Sequence, residues 1–345
     1  MTKEELLYFS LKHQYFLAKA DKARVVSDLC GLQAQFANNP KYALQIRASD
    51  YDEENWSHNL VKTWSFRGTL HAVRRDELGL FLSARGVEDT WDDSWGLDAK
   101  IKPYWAEQIY NWIGEGINER EKLKEKCRAQ GMEEKILKKV FHGWGGLIRE
   151  MCNRGMIAYD GGTAKRFVIC DDIDYMEQDL ARIILLKRYF STFGPATIAD
   201  CAAFTGYIQR EVVRLLKKGE IPLQRLVYEG TEYFYLQDLE GDGTIPPCLF
   251  LTGFDQLILG YKERSRFMHP HDQRDVITLT GIVFPTILVQ GKLQARWKKE
   301  RHKLVITPFR KITKGNRAHI IAKGQAVFGS EIKEIVFLDA LESIG

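Results

Sequence analysis

The stretch Phe193-Gly194-Pro195-Ala196-Thr197-Ile198-Ala199-Asp200 lies at the centre of the clearest structural pattern in this chain. Its Gly-Pro pair ends a predicted helix that begins at Leu180, and its threonine caps a second, shorter helix that ends at Phe204. Apolar side chains at helical spacing then predict a third helix over Gln209–Lys218.

A β-hairpin is predicted directly after these helices. Leu226-Val227-Tyr228 and Tyr233-Phe234-Tyr235 have the composition of short strands and flank the turn-forming sequence Glu229-Gly230-Thr231-Glu232. Three helices and a hairpin make up a winged helix, which is a variant of the helix-turn-helix. Winged helices occur in regulators, enzymes and protein-docking modules, so the pattern alone does not establish DNA binding.

Two weaker copies of this pattern precede the clear one. The copy at residues 103–170 has predicted helices at 132–141 and 144–154 and predicted strands at 156–159 and 166–169. The copy in about the first 75 residues has a helix capped by Thr2, a second helix at 24–32 and a strand at 63–73. The sequence therefore predicts a tandem array.

The C-terminal part of the chain is richer in strands. They are predicted at residues 249–251, 282–289, 293–297, 304–308 and 335–338, with a tight turn at Gln290-Gly291 and a helix at 318–327. We interpret this part as a small β-rich domain, for which a barrel is one arrangement. The predicted fold class is α+β, with tandem winged-helix modules at residues 1–100, 101–175 and 176–240 and a basic, C-terminal β-rich domain at residues 241–345.

Composition sets broad limits on the class of protein. A chain of 345 residues with 45% hydrophobic and 28% charged residues is ordinary for a globular protein of two to three domains. The start lacks a signal-peptide profile, and no apolar run reaches the roughly 18 residues of a spanning helix, so we expect a cytoplasmic protein without a membrane partner. The six cysteines lack paired ligand spacing. We expect no metal, no cofactor and no disulfide.

Charge is distributed unevenly along the chain. The formal net charge is +4, but residues 256–324 hold 15 Lys or Arg against 4 Asp or Glu, a surplus of 11, and the remaining residues sum to −7. Such asymmetry is typical of a protein that binds a polyanion. A solvated basic face without a ligand remains an alternative.

Gln33 and Gln35 are the candidate catalytic residues. Two amides cannot act as strong acids or bases, but they can hold a water molecule and direct their oxygens at a developing positive charge. That chemistry suits a leaving group that needs no protonation, such as a DNA base alkylated at a ring nitrogen. In a regular helix the two side chains would point about 200° apart, so a shared site requires the helix to end near Gln33. Surface or capping glutamines are the alternative.

Three further residues are candidates for the same pocket. Thr69 and His71 are two residues apart and share a face if they lie on a strand, although His71 is equally well explained as a structural histidine. Asp255 is a lone acid beside Phe254 that a buried site could use as a general base. The alternative for Asp255 is an ion pair with Lys262 or Arg264.

A series of short motifs carries a family resemblance over nearly the whole chain. The motifs are Gly31-Leu32-Gln33-Ala34-Gln35, Arg67-Gly68-Thr69-Leu70-His71, Tyr189 with Gly194-Pro195-Ala196-Thr197, Gly253-Phe254-Asp255 with Leu259-Gly260-Tyr261-Lys262, Arg264-Ser265, and Gly281-Ile282-Val283 with Pro285-Thr286. Each is weak alone, but in this order and at this spacing they resemble the AlkZ-type winged-helix DNA glycosylases.

The resemblance implies an array of winged helices and a β-domain that form a C-shaped, basic channel for duplex DNA. The family's catalytic Gln-apolar-Gln element falls on Gln33 and Gln35, and a glutamine at the second position is similar to the branch that excises N7-alkylated purines. Phe36 and Asn38-Asn39 depart from the short polar stretch typical after this element, and Phe66 precedes Arg67. These departures affect substrate range more than reaction type.

The sequence and the resemblance together predict a metal-independent, monofunctional DNA glycosylase that acts as a monomer on double-stranded DNA with alkylated bases. Candidate phosphate contacts are the cations of the basic segment together with the arginine of the second motif: Arg67, Lys262, Arg264, Arg266, Lys292, Arg296, Lys298 and Lys299. A non-catalytic winged-helix DNA-binding regulator and a protein-docking scaffold are the alternatives.

Overall fold

The computed structural model of the protein describes residues 1–86 and 90–341. The chain forms two compact units, one made of residues 1–56 and 185–345 and the other of residues 57–184. The fold is mixed α+β.

Residues 1–56 contribute α1 (Lys3–His13), α2 (Lys22–Asp28), β1 (Leu32–Gln33) and α3 (Asn39–Arg47). Thr2 caps α1 as predicted: its hydroxyl accepts the Glu5 N–H at 3.1 Å, and the Glu5 carboxylate accepts the Thr2 N–H at 2.7 Å. The second helix ends earlier than predicted, at Asp28 and not at residue 32.

The second unit contains β2 (Leu60–Trp64), β3 (Leu70–Arg74), α4 (Leu78–Arg85), α5 (Lys102–Gly114), α6 (Arg120–Ala129), α7 (Glu134–Val140), α8 (Gly146–Asn153), β4 (Ile157–Asp160) and β5 (Phe167–Ile169). Within this unit the strands lie in the order β3, β2, β4, β5. Trp112, Leu147 and Ile157 are among the side chains of its core. The predicted helices and strands of the 103–170 copy are confirmed to within a few residues.

The single strand predicted at residues 63–73 was wrong, because the chain turns back within it. Strands β2 and β3 are antiparallel partners, and Thr63 pairs with His71. Arg67 and Gly68 both have positive φ values, 54° and 66°, which is the backbone geometry of a tight hairpin turn. Gly68 is a turn signal, but the residues on both sides of it have the composition of a strand, and the prediction followed those residues.

Helix α9 (Gln178–Thr192) leads from the second unit back to the first, and it is followed by α10 (Ile198–Thr205), α11 (Gln209–Lys218), β6 (Gln224–Tyr228) and β7 (Thr231–Tyr235). All five elements agree with the prediction. Thr197 caps α10 through its hydroxyl, which accepts the Asp200 N–H at 3.0 Å. Strands β6 and β7 pair antiparallel across Glu229-Gly230.

The C-terminal part contains β8 (Cys248–Leu251), α12 (Gln256–Leu259), α13 (Gln273–Val276), β9 (Thr286–Val289), β10 (Lys292–Glu300), β11 (Lys303–Pro308), α14 (Lys314–Phe328) and β12 (Glu334–Phe337). The strand order is β12, β11, β10, β9, β8, and β12 joins β11 in parallel. Within residues 1–86 and 90–341 no ladder joins β8 to β12, so the sheet is open and the barrel arrangement was wrong.

Aromatic side chains fill the core of this part. Trp297 on β10 lies 5.8 Å from Phe250 and 5.2 Å from Phe328, measured between ring centroids. This packing fixes α14 against the sheet. The strand predicted from residue 282 begins only at Thr286, because the Thr278 N–H donates to the Ile282 carbonyl in a turn. Among the residues that the structure describes, no helix has both the length and the apolar character needed to cross a bilayer.

Candidate active site

The backbone around Gln33 and Gln35 is set by the way α2 ends. The Cys30 N–H donates to the Ser27 carbonyl at 3.1 Å and the Gly31 N–H to the Val26 carbonyl at 2.9 Å, and Cys30 and Gly31 have φ values of 55° and 83°. This pair of bonds is the Schellman arrangement that closes a helix with left-handed residues. The chain therefore leaves the helix before it reaches Gln33.

Gln33 consequently lies on the extended segment β1, and Gln35 follows at a bend before α3. Side chains two residues apart point to the same side of an extended chain and to different sides of a helix. Only Gln33 is extended here, so a site shared by both amides stays a prediction. Pro40 occupies the first turn of α3, a position that proline favours. It marks the start of the next helix.

The two glutamines differ in exposure. Gln33 is 5% exposed, and within the described part of the chain its Oε1 atom has no hydrogen-bond partner. Gln35 is half-buried. A buried amide oxygen without a partner is costly in a folded protein and is usually explained by a function or by a bound water. The pair thus combines a buried acceptor with a neighbouring amide that solvent reaches.

A short corner between β8 and α12, residues 252–256, contacts the chain on both sides of the glutamines. The Thr252 hydroxyl donates to the Asn39 carbonyl at 3.3 Å, after Gln35. The Gln256 amide donates to the Gly31 carbonyl, before Gln33, and to the Leu29 carbonyl at 3.5 Å. The corner therefore holds the backbone of the glutamine segment at its two ends.

Asp255 is the structural centre of this corner. Its carboxylate is fully buried, accepts the Leu257 N–H at 2.9 Å and the Thr252 N–H at 3.1 Å, and lies 2.6 Å from the Arg47 guanidinium. An ion pair was foreseen for Asp255, but with the wrong cation. Both carboxylate oxygens are engaged, so Asp255 caps α12 and has no oxygen directed to solvent.

Arg47 is the residue of this site that sequence reasoning missed. It is fully buried on α3, donates from Nε to the Gln14 carbonyl at 3.0 Å, and stacks its guanidinium 4.0 Å from the centre of the Phe16 ring. Its ion pair joins residues 208 positions apart. No local signal distinguishes such an arginine from an exposed one on a helix.

Two aromatic rings lie beside Gln35. Phe36, the next residue, stacks on Phe254 of the corner with 5.6 Å between ring centroids and 25° between ring planes. Phe36 is 50% exposed. An apolar ring is therefore presented to solvent one residue away from the half-buried glutamine.

Arg67, Thr69 and His71 belong to the other compact unit. Arg67 lies at the turn between β2 and β3; the residue as a whole is exposed, but burial around its guanidinium lowers its pKa to about 10. Thr69 precedes β3 and donates its hydroxyl to the Phe66 carbonyl at 3.0 Å. His71 lies on β3 and is fully buried. Their place in a pocket with the glutamines stays a prediction.

His71 is held as a neutral imidazole. Burial, followed by the nearby positive charge of Arg67, lowers the pKa of His71 to about 3. Its Nδ1 lies 3.1 Å from the Thr69 carbonyl, which only a protonated Nδ1 can satisfy, so Nε2 carries the lone pair. His71 therefore cannot supply a proton at neutral pH.

The predicted phosphate contacts differ widely in how free their side chains are. Arg266 is buried, donates to the Ser10 hydroxyl and the Pro195 carbonyl at 3.1 Å each, and lies 4.2 Å from the centre of the Tyr261 ring. Arg264 donates to the Ile258 carbonyl at 2.9 Å, and burial lowers its pKa. Both arginines connect elements of their own unit.

Of the remaining candidates on β10 and before it, three are half-buried and two are exposed. Lys292 donates to the Ser265 carbonyl at 2.7 Å, and Arg296 stacks over the Phe284 ring at 3.9 Å. Lys299 pairs with Glu331 at 2.8 Å. Lys262 and Lys298 are exposed, although Lys298 pairs with Glu300. These two lysines have the exposure that a phosphate contact needs.

Comparison with known proteins identifies the family. The family model described as DNA glycosylase AlkZ-like matches residues 26–328. The chain belongs to this family of DNA glycosylases. A curated relative, the interstrand DNA cross-link repair glycosylase of Streptomyces sahachiroi, is 25% identical over 312 residues, which cover 83% of this chain and 84% of the relative. The solved structure of Streptomyces sahachiroi DNA glycosylase AlkZ covers 99% of this chain and all of its own with a TM-score of 0.78 at 21% identity, so the fold is shared.

Family membership confirms the resemblance and makes the protein an enzyme, a DNA glycosylase. The regulator and scaffold alternatives are therefore not retained. In the described residues no group of three or more His, Cys, Asp or Glu side chains is placed to hold a metal ion.

Proposed function

We propose that the protein hydrolyses the N-glycosidic bond of alkylated purines, of the N7-alkylguanine type, in duplex DNA and leaves an abasic site. The observation that carries this proposal is the Gln33–Gln35 segment: a non-helical backbone held by hydrogen bonds on both sides, a buried amide oxygen without a protein partner among the described residues, and a half-buried amide two residues later.

Amide oxygens suffice because the substrate is activated by its own charge. Alkylation at N7 makes the purine ring cationic, so the bond from C1′ to N9 breaks with its electron pair moving into the ring, which becomes neutral. The sugar passes through an oxocarbenium-like state. Water adds to its C1′ atom, and the added water then loses a proton to solvent. No residue has to protonate the leaving group.

Each glutamine has a role that matches its exposure. Gln35, which solvent reaches, orients the attacking water through its amide oxygen and places partial negative charge near C1′. Gln33 supports Gln35 in this role through its buried Oε1 atom. Since both interactions strengthen as positive charge develops on the sugar, they act on the rate more than on DNA affinity.

A water nucleophile makes the enzyme monofunctional. Glycosylases that also cut the strand attack the sugar with an amine and form a Schiff base. Asp255, the other residue considered as a base, has both oxygens occupied by Arg47, Leu257 and Thr252. A water positioned by amides is the nucleophile that fits these residues.

The proposal that the protein binds duplex DNA rests on the assignment of winged-helix modules to the chain. We assign winged-helix modules to residues 1–100, 101–175 and 176–240, supported best in the third by α9 to α11 and the β6–β7 hairpin. The basic segment within residues 241–345 adds exposed cations such as Lys262 and Lys298. The protein is proposed to act as a monomer without metal or cofactor.

Base release from methylated duplex DNA tests the proposal. Wild-type protein in excess chelator should liberate N7-methylguanine, detected by chromatography, and should leave no borohydride-trapped protein–DNA adduct. Gln35→Ala should lose this activity, and Gln325→Ala, an exposed glutamine on α14, should retain it. A trapped adduct, or full activity of a double Gln33→Ala and Gln35→Ala variant, would contradict the mechanism.

A crosslinked duplex forms the second arm of this experiment. The relative from Streptomyces sahachiroi is named an interstrand DNA cross-link repair glycosylase. A purine that is tied to the opposite strand through N7 is also cationic, so the same chemistry would release it. We propose crosslinked purines as an additional substrate class, measured by the return of the two strands to separate bands under denaturing conditions.

A further inference from the structure

Phe36 is an unusual residue for its position. It follows Gln35 directly and exposes 50% of its surface, although a phenylalanine is more stable when buried. A single exposed apolar side chain needs no explanation by itself. Phe36, however, is stacked on a second ring, and that ring is fixed in place.

Phe254 has a left-handed backbone with φ of 53°, an outlier for a bulky side chain. The conformation is held from both sides. Its N–H donates to the Val283 carbonyl at 3.2 Å, and the next residue is the buried Asp255 with its ion pair to Arg47. The preceding Gly253 is closely packed, since a Cβ there would lie 3.1 Å from the Asn39 side-chain oxygen and 3.3 Å from the Val283 carbonyl.

Such a strained residue persists only where its surroundings determine it, and strain of this kind concentrates at ligand sites. The consequence here is that the Phe254 ring forms a fixed backing for Phe36. The outer face of the pair is then a flat aromatic surface one residue along the chain from the proposed catalytic Gln35.

We propose that Phe36, backed by Phe254, is the stacking platform for the alkylated purine, and that it makes the site select positively charged bases. The inference rests on the proposed function and names a specificity determinant for it. An aromatic face attracts a cation through its quadrupole and stacks on any flat base. A cationic purine benefits from both effects, whereas an unmodified purine benefits from stacking alone.

The platform acts on binding and not on the chemical step. The purine loses its positive charge as the bond to the sugar breaks, so attraction by the ring is strongest in the ground state and weaker in the transition state. An interaction of that kind raises affinity for the lesion without raising the rate of cleavage. Phe36 and Gln35 are therefore distinguishable although they are adjacent.

A purely structural role for Phe36 makes a different prediction. If the ring only covers Phe254, leucine should replace it, because leucine supplies apolar surface of similar size. Leucine has no aromatic face. Phe36→Leu therefore removes the platform and keeps the cover, whereas Phe36→Tyr and Phe36→Trp keep both.

The experiment measures lesion preference, which is the ratio of dissociation constants for unmodified and lesion-containing duplexes. The lesion is N7-methylguanine with a fluorine on C2′, since the fluorine disfavours the oxocarbenium-like state and keeps the base attached during anisotropy titrations. Phe36→Leu should lower the preference about tenfold, within the range for a desolvated cation–π contact, and should weaken affinity for the unmodified duplex less than affinity for the lesion. Phe36→Tyr and Phe36→Trp should keep the preference.

Tyr104→Leu is the matched control. Tyr104 on α5 is an aromatic residue with 48% exposure, and its loss should change neither duplex affinity. Single-turnover rates at saturating enzyme should be no lower for Phe36→Leu than for wild type on the cleavable lesion, because the lost interaction favours the ground state. Melting temperatures of all variants show that they are folded.

Failure of the proposed reaction and failure of the proposed platform give different results. A wild-type protein that prefers the lesion but releases no base overturns the proposed reaction and leaves the platform supported by binding. Equal preference in wild type and Phe36→Leu, or equal loss in the leucine and tyrosine variants, overturns the platform and leaves the reaction intact. A wild type without any preference for the charged lesion also overturns the platform.

Discussion

Arg47 Nη2 lies 2.6 Å from Asp255 Oδ1, and neither side chain is more than 1% exposed. This buried ion pair joins α3, which begins four residues after Gln35, to the start of α12. Charges removed from water are stable only when they are paired and fully hydrogen-bonded. Because both carboxylate oxygens of Asp255 are engaged, we expect that this acid does not serve as the base.

Asp255→Asn should therefore reduce stability and not catalysis. The substitution leaves the Arg47 charge buried without a counter-charge, which costs about 3 kcal/mol or more of unfolding free energy. Denaturant titration measures this loss. The single-turnover rate per folded molecule, measured at low temperature, should stay within a few-fold of wild type. Glu300→Gln, which breaks the exposed pair with Lys298, should leave stability nearly unchanged. A variant that folds normally but is inactive would restore Asp255 as a catalytic base.

Gln35→Ala should show the opposite behaviour. If the amide acts mainly in the transition state, its loss lowers the single-turnover rate on the order of 10²-fold, about 2.7 kcal/mol, with little change in DNA affinity or stability. Gln33→Ala should do the same more mildly. Chromatography of the released base and anisotropy on the same preparations give both quantities. A glutamine that serves only to bind DNA would lose affinity in place of rate.

The parts of the fold that could be predicted are those determined by neighbouring residues. Thr2 and Thr197 cap helices because their hydroxyls accept the N–H of the residue three positions later. Gly230 forms the turn between the adjacent strands β6 and β7. The Gln33–Gln35 spacing was likewise visible, but the end of α2 was not. It depends on Cys30 in a left-handed conformation, which a cysteine adopts only where the fold imposes it.

The surroundings of the candidate site could not be predicted, because they are made by residues far apart in the chain. Gln256 reaches the Gly31 carbonyl, and Arg47 reaches Asp255. The accessibility of the cations could not be predicted for the same reason. Arg266 is in the basic segment, but in the folded protein it is packed against the Tyr261 ring. Charge along a sequence indicates a polyanion partner, but only packing shows which cations are free to meet it.

DNA binding should be strongly dependent on salt. A protein that neutralises several phosphates should show a slope on the order of −4 or steeper in a plot of log affinity against log salt. Lys298→Ala and Lys262→Ala, at exposed positions, should each reduce that slope by about 0.9 if the lysine meets a phosphate. Lys292→Ala is the comparison, because its amine is bonded to the Ser265 carbonyl and should contribute less. A flat response, or equal binding after charge reversal at Lys298 and Lys299, would contradict a basic DNA-binding surface.

His71 should make the protein less stable in mild acid. Burial lowers its pKa to about 3 in the folded state, whereas an unfolded chain has the ordinary value of about 6.5. Below pH 6.5 the unfolded chain therefore binds a proton at His71 that the folded chain does not, and the unfolding free energy falls as the pH falls. The loss approaches about 1.4 kcal/mol per pH unit, amounts to about 2 kcal/mol at pH 5 relative to neutral or alkaline pH, and is negligible above about pH 7.5.

His71→Asn removes this dependence while keeping an amide donor for the Thr69 carbonyl. Denaturant titrations between pH 5 and 8 should show a variant whose stability declines less steeply in acid, by close to one proton, than that of wild type. His319→Asn, at an exposed position of α14, is the matched control. Base release should show no titration from His71 over the same interval, because its imidazole stays neutral throughout. Parallel stability curves for His71→Asn and wild type would show that the histidine is protonated in the folded protein.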